Sequence, residues 1–507
     1  MHTWRPYLKA AAKSMAPCLL LDKVRFRKGR ASGVWRLLKK DDAMAAQGSG
    51  RWASTFSAVS GAPGQGSGAS KTFIFSELTP QEAAREIIKK QNTDDAFFVC
   101  DLRDIVRKAK LWRQCLPQVT PYYAIKCNGD PVLLNELASL GVNFDCSNTI
   151  EMKTILDMGV HPDRIIYAHP VKSTSHMKFA QENGVRLMTF DCAEELLKVT
   201  DKHAKLLLRI KGDDLGCRIS FNDKFGCTVD QARHILERAR ALHCNVVGVA
   251  FHVGVLYQSP EIFTRTMQQA EAVFEIAAEL GNPMTVLDLG GGFPGGLRNI
   301  DKYKEVCISI RRAIDEYFPA SKGVQIIAEP GQYFVTSAYY LAVRVVCKRR
   351  RDLVIDGVLQ PHQDVFVNES RDNCVSRHLY QYSDVRIVPL QEPLERPRNV
   401  LTTLWGGTCN PLDLIDPEKL FFDVDVDEWL LMDNMGAYTL SFACGFNGTG
   451  FPAVHYICPH SSVGLIRQMV QRSLLRSGYT QPEEALKEDL LTRKQELLHL
   501  PTKPESG

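Results

Sequence analysis

Residues 121–128 read Pro-Tyr-Tyr-Ala-Ile-Lys-Cys-Asn, a short apolar run that closes on Lys126. Its aromatic and β-branched residues are typical of a buried strand. Most lysines at the end of such a strand keep their ammonium in water while the aliphatic stem is buried. Taken alone, the run therefore favours a solvated Lys126, and the polar residues farther along the chain decide whether it has a chemical role.

Strand-like and helix-like segments alternate beyond this run. The predicted strands are 122–126, 142–146, 165–169, 186–190, 205–210, 246–253, 285–289 and 325–329. The predicted helices between them are 132–140, 150–158, 176–181, 193–199, 229–241, 260–280 and 303–317. Eight strands alternating with helices over roughly two hundred residues predict a (β/α)8 TIM barrel. A doubly wound open sheet is the alternative, because periodicity does not show whether a sheet closes.

The pattern changes after Glu329, where strand-like runs follow one another with little helix between them. These runs are 338–346, 364–368, 400–405, 428–433 and 453–457. They predict a separate all-β domain, so the fold class is α/β followed by β. The predicted organisation is a basic disordered extension (1–70), strands contributed to the β domain (71–102), the barrel (103–337), the β domain (338–475) and a charged tail (476–507).

The charge of the chain is unevenly distributed. The first 51 residues carry 12 Lys and Arg against 3 Asp and Glu, and the remaining residues carry 50 against 55. The folded body is therefore mildly acidic and offers no basic face for nucleic acid. The Gly/Ser/Ala-rich residues 48–70 predict a flexible linker, and the acid-poor extension before them is also compatible with a transit peptide.

Fifteen cysteines are scattered without CxxC pairs or regular spacing. This pattern predicts reduced thiols in a cytoplasmic protein and neither a disulfide framework nor a metal site. The apolar runs are short and interrupted, so the sequence predicts no membrane span.

Polar residues and glycines fall at the carboxyl ends of the predicted strands, where barrel enzymes keep their active sites. They are Lys126, Asp145, Arg209, His252, Gly290, Gly291, Gly292 and Glu329. Each has an ordinary explanation alone, as a surface ion pair, a buried satisfied histidine or a tight turn. Together they supply an amine, a carboxylate, a flat imidazole and a glycine loop, which is the set that pyridoxal phosphate requires.

Seven runs of this sequence resemble those of eukaryotic ornithine decarboxylases and their relatives, the antizyme inhibitors. They are PYYAIKCN, FDCSN, FHVG, LDLGGGFPGG, IIAEPGQYF, LWGGTCNPLD and DNMGAYT, and they cover about residues 71–460 in order. The resemblance implies a pyridoxal-phosphate barrel of the alanine-racemase type and a β-sandwich domain. It also implies an amino-acid decarboxylase of polyamine biosynthesis, assembled as a homodimer with active sites shared across the interface.

The resemblance also implies roles for single residues. Lys126 would form the Schiff base, Glu329 would face the pyridine nitrogen and His252 would stack on the ring, with Asp145 and Arg209 around them. The phosphate would be held by Gly290, Gly291, Gly292 and Tyr438. Cys409 from the neighbouring subunit would protonate the carbanion left after loss of carbon dioxide, with Phe446 beside it. Its place in a Gly-Gly-Thr-Cys loop agrees with an exposed, acid-competent thiol.

Several positions depart from the family pattern. Gln332 stands where the family has a phosphate-binding arginine, and Val255 where it has a serine. Both changes weaken the expected hold on the phosphate, because charge-assisted contacts are the strong ones. Gln381 and Asn410 align with the two aspartates that hold the distal ammonium of ornithine, and Asp372 aligns less securely with a tyrosine. Neutral amides would leave a buried ammonium without a carboxylate partner.

Two functions remain open at this level. One is a decarboxylase with an altered substrate, which the intact lysine, histidine, glutamate and cysteine favour. The other is a catalytically weak or inactive regulator that binds antizyme, which the loss of the phosphate arginine favours. The antizyme surface of the family matches about residues 172–205, where Lys172 and Lys178 are basic as that surface requires, although solvated helix faces explain them equally well.

Overall fold

The computed structural model describes residues 54–59, 70–75, 77–91, 93–355, 357–375, 385–391, 396–462, 464–466 and 468–469. The predicted charged tail and most of the predicted disordered extension lie outside these residues. Within the described part of the chain, no helix is long and apolar enough to cross a membrane.

In the described residues before the barrel, the chain forms three strands and two helices. They are β1 (Ser54–Val59), β2 (Ser70–Phe75), α1 (Pro80–Gln91), β3 (Phe97–Asp101) and α2 (Leu102–Cys115). β1 pairs antiparallel with β2, so part of the stretch predicted as a flexible linker is a strand. Its Ser-Thr-Phe-Ser-Ala-Val sequence contains residues with strand propensity, which the Gly- and Ser-rich flanks obscured. α2 is capped by Asp101, whose side chain accepts a hydrogen bond from the backbone N–H of Arg103.

Eight parallel strands close into a barrel in the order β10-β12-β13-β4-β5-β6-β7-β8. They are β4 (Val119–Ala124), β5 (Asn143–Cys146), β6 (Ile165–Tyr167), β7 (Leu187–Phe190), β8 (Lys205–Arg209), β10 (Val246–Ala250), β12 (Val286–Asp288) and β13 (Gln325–Ala328). Their order confirms the predicted (β/α)8 barrel and excludes the open sheet. Two strands that the sequence did not predict, β9 (Cys217–Ile219) and β11 (Val255–Tyr257), form a separate antiparallel pair.

Helices alternate with the barrel strands. They are α3 (Pro131–Ser139), α4 (Thr149–Asp157), α5 (Thr174–Glu182), α6 (Ala193–Leu196), α7 (Val229–Ala241), α8 (Glu261–Glu279) and α9 (Ile300–Tyr317). Polar side chains cap several of them, for example Asp130 at α3, Asn148 at α4 and Thr228 at α7. Such caps satisfy the free N–H groups of the first helical turn and fix where each helix begins.

Apolar side chains fill the inside of the barrel below its mouth. Tyr122, Ile166, Leu207, Ala250 and Ile327 come from five of the eight strands and belong to one buried cluster. The barrel is therefore a packed core and not a pore. Polar groups meet at its carboxyl-terminal end, where the strands stop.

The chain then forms a short helix and the strands of a second domain. These are α10 (Gln332–Val335), β14 (Tyr339–Ile355), β15 (Val358–Val367), β16 (Ile387–Pro389), β17 (Arg398–Trp405), β18 (Leu414–Phe422), β19 (Trp429–Met432) and β20 (Ala453–Cys458). The predicted fold class, a barrel joined to a β-sandwich domain, is confirmed. β18 was missed because its Pro-Glu pair at 417–418 reads as a turn.

β14 belongs to both halves of this second domain. Its first part pairs with β3 and β19, and its second part pairs with β15. The register shifts between Val345 and Cys347, where the long strand passes from one part of the sheet to the other. β2 and β3, from before the barrel, lie in the same sheet beside β20. The second domain is therefore built from both ends of the chain around the barrel.

Candidate active site

The sequence analysis predicted that Lys126 is the last residue of the first barrel strand. In the structure it lies in the 3₁₀ turn Ile125–Cys127 that follows β4. Its Nζ donates a hydrogen bond to Oδ2 of Asp145, and the two form an ion pair. Parallel pairing brings them together, because Ala124 at the end of β4 is in register with Asp145 on β5. Burial lowers the pKa of Lys126, but the carboxylates of Asp145 and Glu329 outweigh it and raise the pKa. The ammonium is therefore charged, and its side chain remains 46% exposed at the barrel mouth.

Glu329 follows β13 directly and faces a second carboxyl, that of Asp288 at the end of β12. Burial raises the pKa of Glu329, and the carboxylates of Asp288 and Asp145 raise it further. Burial also raises the pKa of Asp288, to about 6. Two carboxyls so close to each other do not both ionise readily, so the pair retains a proton near neutral pH.

Asp288 was missed by the sequence analysis. Its Oδ1 accepts a hydrogen bond from the N–H of Gly290 at 2.9 Å, so it also fixes the start of the glycine loop. A side-chain hydrogen bond with Glu329 lowers the pKa of Asp288, against the larger effect of burial. The sequence signal was its position immediately before Leu289 and the three glycines, in a strand otherwise made of apolar residues.

His252 and Arg209 lie on the same rim, beyond β10 and at the end of β8. Burial lowers the pKa of His252 well below its usual value, and the charges of Arg209 and Lys126 lower it further. The ring is therefore neutral, and its Nδ1 accepts a hydrogen bond from Gly254 N at 3.0 Å. Its proton consequently lies on Nε2. Phe221 packs edge-on against the ring at 4.8 Å between centroids, which fixes its orientation.

The three glycines after β12 occupy positions that a side chain would obstruct. Gly290 and Gly292 have φ values of 62° and 96°, in the left-handed region that glycine tolerates. A Cβ on Gly290 would lie 2.1 Å from the carbonyl oxygen of Phe251, and one on Gly291 would lie 2.9 Å from Nε2 of His252. The loop therefore passes His252 with bare backbone, and its N–H groups are not covered by side chains of the loop itself.

Tyr438 brings the second domain to the barrel mouth. Its backbone N–H donates to the carbonyl of Cys127, next to Lys126, at 2.9 Å. Its hydroxyl group is close enough to Lys126 to raise the pKa of that lysine. Its φ of 59° is unusual for a non-glycine residue, and Ser441 donates a further hydrogen bond to the same carbonyl. The structure thus places Tyr438 with Lys126, Asp145, Arg209, His252, Glu329 and the glycines at one end of the barrel.

Three further predicted residues, Cys409, Asn410 and Phe446, belong to a different group, which we name the loop cluster (residues 369–375, 406–413 and 444–446). Cys409 is exposed on the loop between β17 and β18, and Phe446 is 49% exposed. Asn410 Nδ2 donates to Oδ2 of Asp372 at 2.5 Å, and Cys444 Sγ lies 3.0 Å from the carbonyl oxygen of Asp372. The contacts that hold this cluster come from the second domain. Gln381 lies outside the described residues.

Asp372, which the sequence aligns with a tyrosine of the family, places a carboxylate beside Asn410. Both of its carboxylate oxygens already have partners. Oδ2 accepts a hydrogen bond from Asn410, and the guanidinium of Arg371 lies 3.9 Å from Oδ1. Asp413, which is buried, holds the same loop from the inside through Arg371 N and through the N–H and hydroxyl of Thr408. The carboxylate is therefore present but engaged by this chain's own donors.

The two positions that depart from the family pattern, Gln332 and Val255, lie on different elements. Gln332 is the first residue of α10 and is half-buried beside the glycine loop, where a Cβ on Gly295 would lie 2.2 Å from its carbonyl oxygen. Val255 is the first residue of β11 and pairs with Ile219. Leu256 follows it with a φ of 58°, a strained conformation for a residue with a Cβ. This segment supplies aliphatic side chains where the family pattern has a hydroxyl.

The structure also changes the interpretation of Lys172. Its side chain is buried, and Nζ donates to the carbonyl of Thr189 at 2.6 Å and pairs with Glu195 at 3.4 Å. Its ammonium therefore serves the fold and is not presented to a partner. Lys178 is exposed and forms a surface pair with Glu182 at 3.6 Å, which leaves it accessible.

Comparisons with known proteins agree with this architecture. The model for the pyridoxal-binding domain of pyridoxal-dependent decarboxylases matches residues 102–336. The chain is 39% identical to ornithine decarboxylase of Rattus norvegicus over 395 residues, 75% of this chain and 85% of the relative. It is 38% identical to antizyme inhibitor 2 of Xenopus laevis over 418 residues, 81% and 90% of the two chains. The arginine decarboxylase of Paramecium bursaria Chlorella virus, solved with agmatine, superposes with a TM-score of 0.69 at 33% identity, covering 74% of this chain and all of the other.

Proposed function

Since this chain belongs to the family of ornithine decarboxylases and antizyme inhibitors, we propose that it is a pyridoxal-phosphate-dependent amino-acid decarboxylase with an altered substrate. The observation that carries this proposal is the ion pair of Lys126 with Asp145 opposite the carboxyl pair of Glu329 and Asp288. A chain without chemistry has little reason to keep the buried carboxyls of Asp145 and Asp288 beside a charged amine at one barrel mouth, because burying carboxyls is costly.

The residues at the barrel mouth fit pyridoxal phosphate. Lys126 would bind its aldehyde, Glu329 would face the ring nitrogen, His252 would lie against the ring, and Gly290, Gly291, Gly292 and Tyr438 would hold the phosphate. Oδ1 of Asp145 is buried and accepts no hydrogen bond among the described residues, so this carboxylate has capacity for one more donor. When bound, the cofactor would supply an electron sink for the bond that breaks.

The protein groups have distinct tasks in this proposal. Asp145 holds the lysine amine in place by its hydrogen bond. The carboxyl pair of Asp288 and Glu329 keeps a proton available at the barrel mouth. Neutral His252 adds a flat face without a charge, because its Nδ1 is fixed by Gly254. The Cys409 thiol, presented by the loop cluster of a second subunit, would donate the proton that replaces the lost carboxylate.

The substrate proposed here is an amino acid without a distal ammonium. Asp372 is the carboxylate next to Asn410, and its oxygens already face an amide and a guanidinium. It is therefore a poor partner for a further cation, whose desolvation would remain uncompensated. Phe446 and Leu412, both exposed on the loop cluster, suit an apolar side chain. Gln381 in place of an acidic residue agrees with this choice.

Cofactor titration is the direct test. The purified protein is incubated with pyridoxal phosphate, and we expect a visible absorbance band that disappears in Lys126→Ala. Carbon dioxide release is then measured over a panel of basic and neutral amino acids, where a neutral one should have the highest kcat/KM. The absence of a band at saturating cofactor would rule out the enzyme. Ornithine as the clear best substrate would contradict the argument from Asp372 and Asn410.

The second candidate function is an antizyme-binding regulator of polyamine synthesis. It is supported by the loss of the phosphate ligands at Gln332 and Val255 and by the similarity to antizyme inhibitor 2. The burial of Lys172 weighs against it, since that ammonium does not reach the surface. Pull-down with antizyme, followed by release of a decarboxylase–antizyme complex, tests it. Failure to bind antizyme would remove this candidate.

The assembly and location proposed with this function are those of the family resemblance. A head-to-tail homodimer in the cytoplasm would bring Cys409 of one subunit to Lys126 of the other. The exposure of Cys409, Phe446 and Phe442 in the second domain supports such an arrangement. The free state of the described cysteines agrees with a reducing compartment.

A further inference from the structure

Glu369 is a buried carboxyl that the proposed mechanism does not use. It lies two residues beyond β15 and is 1% exposed. Its Oε1 accepts hydrogen bonds from Ser370 N at 2.8 Å and from Asn373 Nδ2 at 2.9 Å. These two bonds close the turn formed by residues 369–373 from the inside.

Glu369 also joins the two main segments of the loop cluster. Its backbone carbonyl accepts a hydrogen bond at 3.0 Å from the N–H of Gly407, two residues before Cys409. The turn that it closes carries Asp372, which holds Asn410 through its carboxylate and Cys444 through its carbonyl. A change in the hydrogen bonds of Glu369 is therefore transmitted over a few residues to the two exposed thiols of the loop cluster, Cys409 and Cys444.

Burial and a neighbouring carboxylate oppose the ionisation of Glu369. Burial raises its pKa to about 7, the nearby carboxylate of Asp413 raises it as well, and hydrogen bonds from the turn lower it. The thiol of Cys374 is the other titratable group here, and burial raises its pKa. The cation on this turn, Arg371, is directed to the carbonyl of Leu412 and to Asp372.

The neighbouring amide indicates which form of Glu369 fits this geometry. Asn373 is 2% exposed, and its Oδ1 is buried and receives no hydrogen bond from the described residues. Its Nδ2 already contacts Glu369, so the same amide faces the carboxyl. A protonated Glu369 has the O–H donor that Oδ1 of Asn373 lacks, whereas an ionised one has none.

We propose that Glu369 is a positioning residue whose protonation holds the loop cluster together and whose ionisation loosens it. Its effect on turnover rests on the proposed function, while its effect on the loops does not. The sign follows from linkage. A carboxyl with a raised pKa in the folded state binds an extra proton there, so its stabilising effect is present below its ordinary pKa and is lost as the pH rises through about 7.

Thiol labelling tests this proposal without an activity measurement. Cys409 and Cys444 are alkylated with iodoacetamide in the full-length protein at about pH 6 and about pH 8.5, and each site is quantified by mass spectrometry. The comparison is between the wild type, Glu369→Gln and the control Glu418→Gln, which removes a charge from an exposed position on β18. Each ratio is taken at one pH, so the ionisation of the thiols themselves cancels.

We expect equal labelling of wild type and Glu369→Gln at the lower pH. At the higher pH the wild type and the Glu418→Gln control should label roughly threefold faster than Glu369→Gln, because ionised Glu369 opens the cluster. A wild-type to Glu369→Gln ratio that does not change with pH would overturn the proposal.

Hydrogen exchange of the wild type keeps the test valid if Glu369→Gln does not fold. Above about pH 7, the exchange of the amides of residues 369–375 and 406–413 should accelerate by more than the pH dependence of intrinsic amide exchange explains. Uniform protection across this pH range would reject the role of Glu369. A protein that binds no cofactor but shows the pH-dependent labelling would disprove the proposed function and retain this one.

Discussion

The barrel mouth and the loop cluster hold their polar groups in different ways. At the barrel mouth, side chains leave the ends of parallel strands, so register alone sets their neighbours, as for Lys126 and Asp145. In the loop cluster, two buried carboxyls, Glu369 and Asp413, organise turns by accepting backbone and side-chain hydrogen bonds. The barrel mouth is therefore fixed by the sheet, whereas the loop cluster depends on charges that can change.

This difference matches where the chain departs from the pattern of its family. The rim keeps its lysine, its carboxyls and its histidine, and its changes concern the phosphate at Gln332 and Val255. The loop cluster keeps Cys409 but changes the residues beside it, including Asn410. A site of this kind can keep its chemistry while its substrate changes, because strand ends and loops are altered independently.

The largest expected effect tests whether the barrel mouth of one subunit works with the loop cluster of the other. Cys409→Ala should lower kcat by roughly 10²–10⁴-fold, the range for loss of a positioned acid, while the cofactor absorbance band is retained. Lys126→Ala should lose both the activity and the cofactor absorbance band. Mixing the two inactive variants under conditions that exchange subunits should restore about a quarter of the wild-type activity, because half the dimers then contain one intact site. No recovery in demonstrated mixed dimers would place both residues in the same subunit.

The second prediction concerns a substitution at the barrel mouth that should strengthen cofactor binding. Gln332→Arg should tighten pyridoxal phosphate binding by roughly 10-fold or more, since a charge-assisted hydrogen bond contributes about 1.5–3 kcal/mol. The measurement is a cofactor titration by absorbance or fluorescence. Gln332→Met, which has a similar size and no charge, is the control and should not gain affinity. Equal affinities of the arginine and methionine variants would show that the phosphate does not reach this position.

The smallest expected effect concerns the loop cluster. Asn410→Asp places a second carboxylate against Asp372, and the two cannot both ionise unless a cation joins them. The kcat/KM for ornithine should therefore rise by roughly 10-fold relative to a neutral amino acid. Asn410→Ala removes the amide without adding a carboxylate and serves as the control. If both variants changed the ratio equally, Asn410 would act by shape and not by charge.

Much of the barrel was predictable because its strands and helices have clear periods. Most predicted strand ends lie within about two residues of those in the structure, as frayed ends allow. The second domain was predicted less well. β18 contains a Pro-Glu pair that reads as a turn, and β9 and β11 have three residues each, so their pairing across the chain leaves little local signal.

The sequence by itself determined the alternation of eight strands with helices, the all-β domain and the presence of a lysine, a histidine and carboxylates at strand ends, because these follow from local periodicity and strand direction. The closure of the eight strands into a barrel was decided by the tertiary structure. The tertiary structure decided which charges meet. It joined Lys126 to Asp145, placed Asp288 beside Glu329 and buried Lys172 among carbonyls. It also tied Asp372 to Asn410, which the sequence treated as separate positions. Burial and distance govern these pairings, and neither is a property of neighbouring residues in the chain.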